Sequence, residues 1–328
     1  MRFRRRRLRF AAALLGAALP AAASTQVARQ SMTEINADLQ AGEADKALAL
    51  IASLPQGGRD NAQAKFLECR VRFALEQWNA AADACGRAIQ LDGQNSNYHL
   101  WYGRALGERA SSASFLSAFG LAKQVHEQFE KAIELDPRNA EALSDQGTFD
   151  VDAPGMVGGG LDKAEGVANQ LEKVDQVRAH QLRAEIATNR KDYAAAEKEL
   201  KAAIAASSHP ALQLTLLANF YRHRQQWDQM ETAVRSAQNA AAKDRAAGVA
   251  LYDGAGVLIE AKRNPVLAAK MLQDYVAGNS KTDEAPAFVA YSRLAGLELQ
   301  LGNSAEAQRD QAAAQTMAHE YRPKEAKH

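Results

Sequence analysis

The sequence predicts an all-α fold, a superhelical solenoid of about eight helix pairs, and three observations predict it. The first is the stretch 129–142, FEKAIELDPRNAEA, which reads as helix, turn and helix. Phe129, Ala132 and Ile133 share one helical face, and Ala132 is small enough for a neighbouring helix to come close. Pro137 cannot continue that helix and restrains Asp136 before it; Ala142, Leu143 and Gly147 then open a second apolar stripe. Such a unit cannot bury its own stripe and must stack on copies of itself. The second observation is that weaker copies of this pattern lie on both sides. The third is that no segment alternates apolar and polar residues as a half-buried strand does.

Residues 1–23 read as a cleaved secretory signal. Arg2, Arg4, Arg5, Arg6, Arg7 and Arg9 give a strongly positive start, AAALLGAAL is a short apolar core, and Pro20 and Ala21-Ala22-Ala23 supply a break and a cleavage site expected after Ala23. The apolar run is about nine residues, against the ~20 that a membrane-spanning helix needs. A basic amphipathic arm on nucleic acid is the competing reading, and the adjoining Ala/Leu run is not amphipathic. Residues 24–31 are expected to be a flexible segment, 32–318 the repeat domain and 319–328 a polar tail.

Within 32–318 the first pair is expected over 32–54, with Gly42 in its turn, and Pro55-Gln56-Gly57-Gly58 closes it. The second, over 62–91, carries Trp78, Ala81, Cys85 and Ala88 at an aromatic–small–large–small spacing. The third opens with YHLWYGRALG, where Gly103 takes the small position at which two helices touch. Extra residues at 108–116 precede its second helix. The fourth starts near Ala140, has Gly147 as its small residue, and holds a second insertion at 153–160 before its second helix resumes at Leu161. The fifth runs over 177–204 and the sixth starts at Pro210, followed by Trp227, Met230, Val234 and Ala237. The seventh is expected to be longer, over 241–276 with Asn264-Pro265 in its turn. The eighth spans 285–318, with Gly302 in its turn.

Composition agrees with a folded helical chain: 328 residues, 47% hydrophobic and only 6% aromatic. The formal charge is +1; loss of the six signal arginines leaves 34 basic against 39 acidic residues, or −5. A mildly acidic chain is a poor partner for phosphate backbones, so no nucleic-acid partner is expected.

KAIELDPRNAEAL and RKDYAAAEKELKAAI resemble the tetratricopeptide repeat superfamily, and the resemblance extends over nearly the whole mature chain. It implies a right-handed superhelical solenoid of tetratricopeptide-like helix pairs. YHLWYGRALGERAS, FEKAIELDP and APGMVGGGLDKAE together are similar to exported bacterial tetratricopeptide proteins and to the repeat domain of the regulator of microtubule dynamics family. That narrower resemblance implies an interaction domain without chemistry of its own; the eukaryotic function does not transfer to a chain with a bacterial-looking export signal.

Cys69 and Cys85 lie about eight residues either side of a turn centred near Glu76-Gln77, on antiparallel helices and on the inward stripe. That places them at one height, and an oxidising compartment permits a disulfide; the alternative is two small buried thiols. The loop Gly155–Gly160 lacks the Lys-Ser/Thr of a phosphate-binding loop, because Leu161-Asp162 follow, so its glycines are expected to serve positive φ angles. No two of the seven histidines share a metal-ligand spacing, and no nucleophile elbow or dinucleotide fingerprint occurs. No catalytic residue, metal or cofactor is therefore expected.

The concave face, lined by the first helix of each pair, offers Asn97, Trp101, Arg104, Asp145, Gln181, Glu185, Asn219, Arg222 and His223. Amide and guanidinium groups suit a peptide backbone or carboxylate, and Trp101 an apolar anchor; an ordinary solvated face, with Arg104 tied to a nearby acid, is the plainer reading. On the binding reading Trp101→Ala and Arg104→Ala weaken partner capture with little loss of stability. The expected function is a non-enzymatic periplasmic scaffold that docks a protein or peptide in its groove, with no transmembrane segment once the signal is removed. Two other readings are an accessory subunit of a cell-envelope machine holding a glycan or lipid, and a hydrolase with its site in the insertions 108–116 and 153–160.

Overall fold

The computed structural model describes residues 19–244 and 246–322, with side chains from residue 30 onward. Eighteen residues of the expected signal, 1–18, and the last six of the expected tail lie outside that range. The described residues form eight helix pairs: α1 (Leu19–Ala41) with α2 (Ala44–Ser53), α4 (Ala62–Ala74) with α5 (Trp78–Leu91), α6 (Ser96–Ser111) with α7 (Phe115–Leu135), α8 (Ala140–Asp152) with α9 (Leu161–Leu171), α10 (Gln176–Asn189) with α11 (Tyr193–Ala206), α12 (Ala211–His223) with α13 (Trp227–Ala241), α14 (Gly248–Glu260) with α15 (Pro265–Ala277), and α16 (Ala287–Gln300) with α17 (Ser304–Met317). One extra turn, α3 (Gln56–Arg59), follows the first pair where the PQGG segment is expected only to close it. Among the described residues there is no strand, and no helix is long and apolar enough to cross a membrane.

The pairs are built by local chemistry that repeats. Asn61, Asn139, Asp175, Asp192 and Asn264 each accept a hydrogen bond from a first-turn N–H of the helix they precede. Within six of the eight pairs the turn carries a residue of positive φ: Gly42, Glu76, Lys191, Gln225, Lys262 and Gly302. There the chain folds back on the first helix in a six-residue hydrogen-bonded loop, as when the Gln77 N–H donates to the Arg72 carbonyl at 2.9 Å. The third and fourth pairs depart from this form, and they are the two that carry the insertions.

The extra residues at 108–116 lengthen both helices of the third pair, leaving only residues 112–114 as the turn and Phe115 and Leu116 more than 80% exposed at the tip. The insertion 153–160 folds as a 3₁₀ turn (Gly155–Val157) with Val157 buried; Gly158 and Gly160 take φ of 110° and 146°. Two expectations are corrected. Residues 24–31 continue α1 in place of a flexible segment, since Ala-Ser-Thr-Gln-Val has no helix breaker. The seventh pair is of ordinary length, because its first helix begins at Gly248, well after Ala241. The described part of the polar tail, 319–322, is tied to the first two units.

Neighbouring first helices touch: α1 meets α4, and the series α4, α6, α8 and α10 is continuous, as is α12 with α14. The second helices of consecutive pairs pack less closely, and α2 meets α17 where the two ends of the array come together. This convergence makes the first helices the inner, concave layer. Gly103 lets Phe129 of its own pair approach, as expected, since a Cβ there would lie 2.5 Å from the ring. Gly147 instead receives Leu182 of the next unit.

The two ends of the array meet. Asp283, in the segment 278–286 between α15 and α16, is 5% exposed and accepts from Arg70 Nε at 2.7 Å and Gln40 Nε2 at 3.1 Å. His319 donates its backbone N–H to Asp45 at 2.9 Å, and Glu320 accepts from Arg72 and Gln77. Tyr321 packs edge-on against Phe288 at 5.0 Å, and a Cβ on Gly42 would lie 2.7 Å from the Ala287 nitrogen. One core cluster accordingly includes Met32 and Ile35 from the first unit and Leu294 and Ala314 from the last.

Candidate binding site on the inner face

The nine inner-face residues expected from sequence fall into two groups with different surroundings. In the first, Asn97 Oδ1 accepts from Asn139 Nδ2 at 3.2 Å. Arg104 donates to Asp145 at 2.5 Å, to Glu141 at 3.1 Å and to Glu284 at 3.0 Å. Burial pulls the guanidinium pKa down, but Asp145, Glu284 and Glu141 together hold it above its usual value. Trp101 is 6% exposed, with Arg70 and Arg104 stacked on its ring at 5.3 and 5.0 Å and Phe73 edge-on at 5.3 Å. Trp101 is thus not an exposed anchor: its faces are covered by two guanidinium groups, one of which reaches back to Glu284 of the chain's own segment 278–286.

The second group surrounds an opening. Between α10 and α12 lies a cavity of about 640 Å³. Gln181 and Glu185 from α10 face Asn219 and His223 from α12 across it, with Thr148 and Asp152 of α8 at one side. Tyr193 and Leu200 of α11 and Leu216 and Phe220 of α12 give it an apolar wall. Sequence reasoning missed these four as site residues; the i, i+4 spacing of Leu216 and Phe220 is the signal that marks them as a stripe.

Arg222 orders the polar side of this cavity without lining it. It donates through Nε to Asn219 Oδ1 at 3.0 Å and through Nη2 to His223 Nε2 at 2.9 Å, and pairs with Glu260 at 2.9 Å. Because arginine only donates, Asn219 keeps its amide N–H groups for a ligand, and His223 Nε2 is an acceptor, leaving its hydrogen on Nδ1. Burial and then Arg222 lower the His223 pKa, which keeps the ring neutral. Glu185 is exposed to the groove, where Thr148 Oγ1 donates to its carboxylate at 2.9 Å. Burial, with Asp152 and Asp145 adding to it and the Thr148 hydroxyl opposing, pushes its pKa up to about 7. The site therefore presents amide and imidazole donors, the Arg224 guanidinium lying over the Tyr193 ring, an apolar wall and a carboxylate that is poorly satisfied at neutral pH.

Cys69 and Cys85 are bonded in the structure, with Cα atoms 5.2 Å apart and both residues fully buried between α4 and α5. The histidines are dispersed: His99 lies in the core between Gln128 and the Gly93 carbonyl, and His180 and His209 each pair with one carboxylate. Among the described residues no group of three metal-ligating side chains is assembled.

The helices define an all-α array of consecutive helix pairs whose first helices form its inner layer. No protein-family model matches the chain, and no curated protein does. Among solved structures, TTC0263, a thermophilic TPR protein in Thermus thermophilus, superposes with a TM-score of 0.47 at 15% identity, covering 61% of this chain and 97% of its own. Human IFIT1, solved as a dimer with PPP-AAAA, superposes with a TM-score of 0.44 at 12% identity, covering 84% and 69%.

Proposed function

We propose that this chain is an exported, non-enzymatic scaffold that holds a segment of a partner protein or peptide on its inner face, at the opening between α10 and α12. The observation that carries this reading is the cavity itself. It gathers Gln181, Glu185, Asn219 and His223 from two neighbouring first helices around an apolar wall. An extended segment fits there with its backbone carbonyls on the free Asn219 and Gln181 amides and one apolar side chain against Leu216 and Phe220. The basic and apolar start of the sequence supports export, and the buried cysteine pair is compatible with an oxidising compartment.

The test is site-specific photo-crosslinking in living cells, with the photoreactive residue placed at Gln181, at Asn219 and, as a control, at Leu299 on the rim of the eighth pair. The expected result is one crosslinked segment, the same at Gln181 and Asn219 and absent at Leu299, and lost with Phe220→Ala. Equal crosslinking at all three positions overturns the choice of site. Export is checked separately by the mass of the mature chain, which should begin after Ala23.

A further inference from the structure

The third pair ends in an apolar point that stands in solvent. α7 has 21 residues where α5 and α9 have 14 and 11, so this hairpin outgrows the pairs on either side. At its tip Phe115 and Leu116, the first two residues of α7, are 82% and 84% exposed. Phe119, half-buried, follows Phe115 by one turn, and Lys123 follows by another, with its ammonium 4.8 Å from the Phe119 ring centroid. The other exposed large apolar residues among those described, Leu91, Met156, Leu212, Val266 and Leu299, occur singly along the chain. A lone apolar side chain on a surface needs no explanation, whereas an adjacent pair at the end of a protrusion does.

Charge and area together say what covers this point. Between Glu108 and Glu127 the sequence has no acidic residue, in a chain that carries 39, and its charges there are Arg109 and Lys123. Arg109 lines a groove that Glu76 of the second pair also lines, while none of the ion pairs among the described residues uses Lys123. Phe115 and Leu116 offer about 300 Å² between them, far below the ~800 Å² per partner that a stable protein interface buries. A second copy or a folded partner gains little from so small a point. A bilayer needs neither matching shape nor large area, only apolar side chains for its acyl boundary and cations for its anionic headgroups. The spacing suits this, because Lys123 lies eight residues beyond Phe115, or about 12 Å along the helix axis. With Phe115 about 5–10 Å into the acyl boundary, the Lys123 ammonium stands at the level of the phosphates.

We propose that this tip docks the array on the surface of an anionic phospholipid bilayer, with Phe115 and Leu116 entering it and Lys123 among its phosphates. The docking is independent of whatever the inner face holds. The test is an environment-sensitive NBD group on Ser117→Cys of the full chain, with the same group on Leu299→Cys as the control; Cys69 and Cys85, bonded and buried, leave the new thiol to react. Vesicles of phosphatidylcholine and phosphatidylglycerol at about 7:3 should shift the Ser117 emission to the blue and raise it about threefold, and vesicles of phosphatidylcholine alone should not. The Leu299 position should respond to neither, and a signal local to the tip is distinct from any attachment through residues 1–23. Phe115→Ser with Leu116→Ser should abolish the response at an unchanged melting temperature, since both side chains lie in solvent. Lys123→Glu should weaken vesicle affinity about tenfold. No response at Ser117, an equal response at Leu299 or to both kinds of vesicle, a response that survives the loss of Phe115 and Leu116, or unchanged affinity in Lys123→Glu overturns the proposal. So does a blue shift that grows with protein concentration in the absence of vesicles, which would mean that a second copy covers the tip.

Discussion

Trp101, Glu185 and the cysteine pair show how neighbours set what a side chain can do. Trp101 sits where the sequence leads one to expect a groove anchor, yet Arg70 and Arg104 cover its faces. Trp101→Ala should thus cost about 3–5 kcal/mol, read as a lower urea midpoint, and not the small loss that an exposed anchor predicts. Glu185 has a folded pKa of about 7, above its unfolded value, so the folded state binds the extra proton. Its contribution is favourable below the ordinary carboxylate pKa and is lost as pH rises toward 7. Glu185→Gln should raise the urea midpoint at pH 7.5 relative to the parent and leave it unchanged near pH 4, and an equal shift at both would refute this. Closing the 16-residue span between Cys69 and Cys85 is worth about 3 kcal/mol, so Cys85→Ser should lower stability by that much in the absence of reductant. The cysteine pairing was legible because both residues lie at equal distance from one local turn. The fate of Trp101 was not, because Glu284, which holds Arg104, is 180 positions away.

At the scale of elements, the helix pairs are readable from apolar spacing, and their turns much less so. Gly42 and Gly302 announce a left-handed residue; Glu76, Lys191, Gln225 and Lys262 adopt the same conformation with no such mark, because the hydrogen-bonded loop imposes it. The expected seventh pair is too long since alanines 241, 242, 246 and 247 continue a helical composition across a real break. The glycine-rich insertion needs positive φ at Gly158 and Gly160, as its composition suggests, and space adds a second need. A Cβ on Gly159 would lie 2.0 Å from the Ala153 carbonyl oxygen, which belongs to the backbone and has little room to yield. Gly159→Ala should destabilise the chain by about 1–3 kcal/mol, and hydrogen exchange should rise in α8 and α9 before the other pairs. Exchange rising uniformly over all pairs would contradict a local fault.

For the molecule as a whole, the joining of first and last units is a feature no repeat pattern encodes, since it depends on curvature summed over eight pairs. Its polar centre is the Arg70–Asp283 pair, with side chains 16% and 5% exposed. Removing one partner of so buried a pair leaves the other charge stranded, so Arg70→Ala or Asp283→Ala should each cost about 3–5 kcal/mol and the double variant clearly less than their sum. Small-angle scattering should then show a larger radius of gyration for the single variants; an unchanged radius would mean that the apolar contacts at Gly42, Phe288 and Tyr321 hold the ends by themselves. An open row of repeats unravels from its termini, because an outermost unit has a single neighbour. Here the opening and closing units shield each other, so neither is a place to start. Limited proteolysis should yield no ladder of progressively trimmed fragments, and heating should give one sharp melting transition.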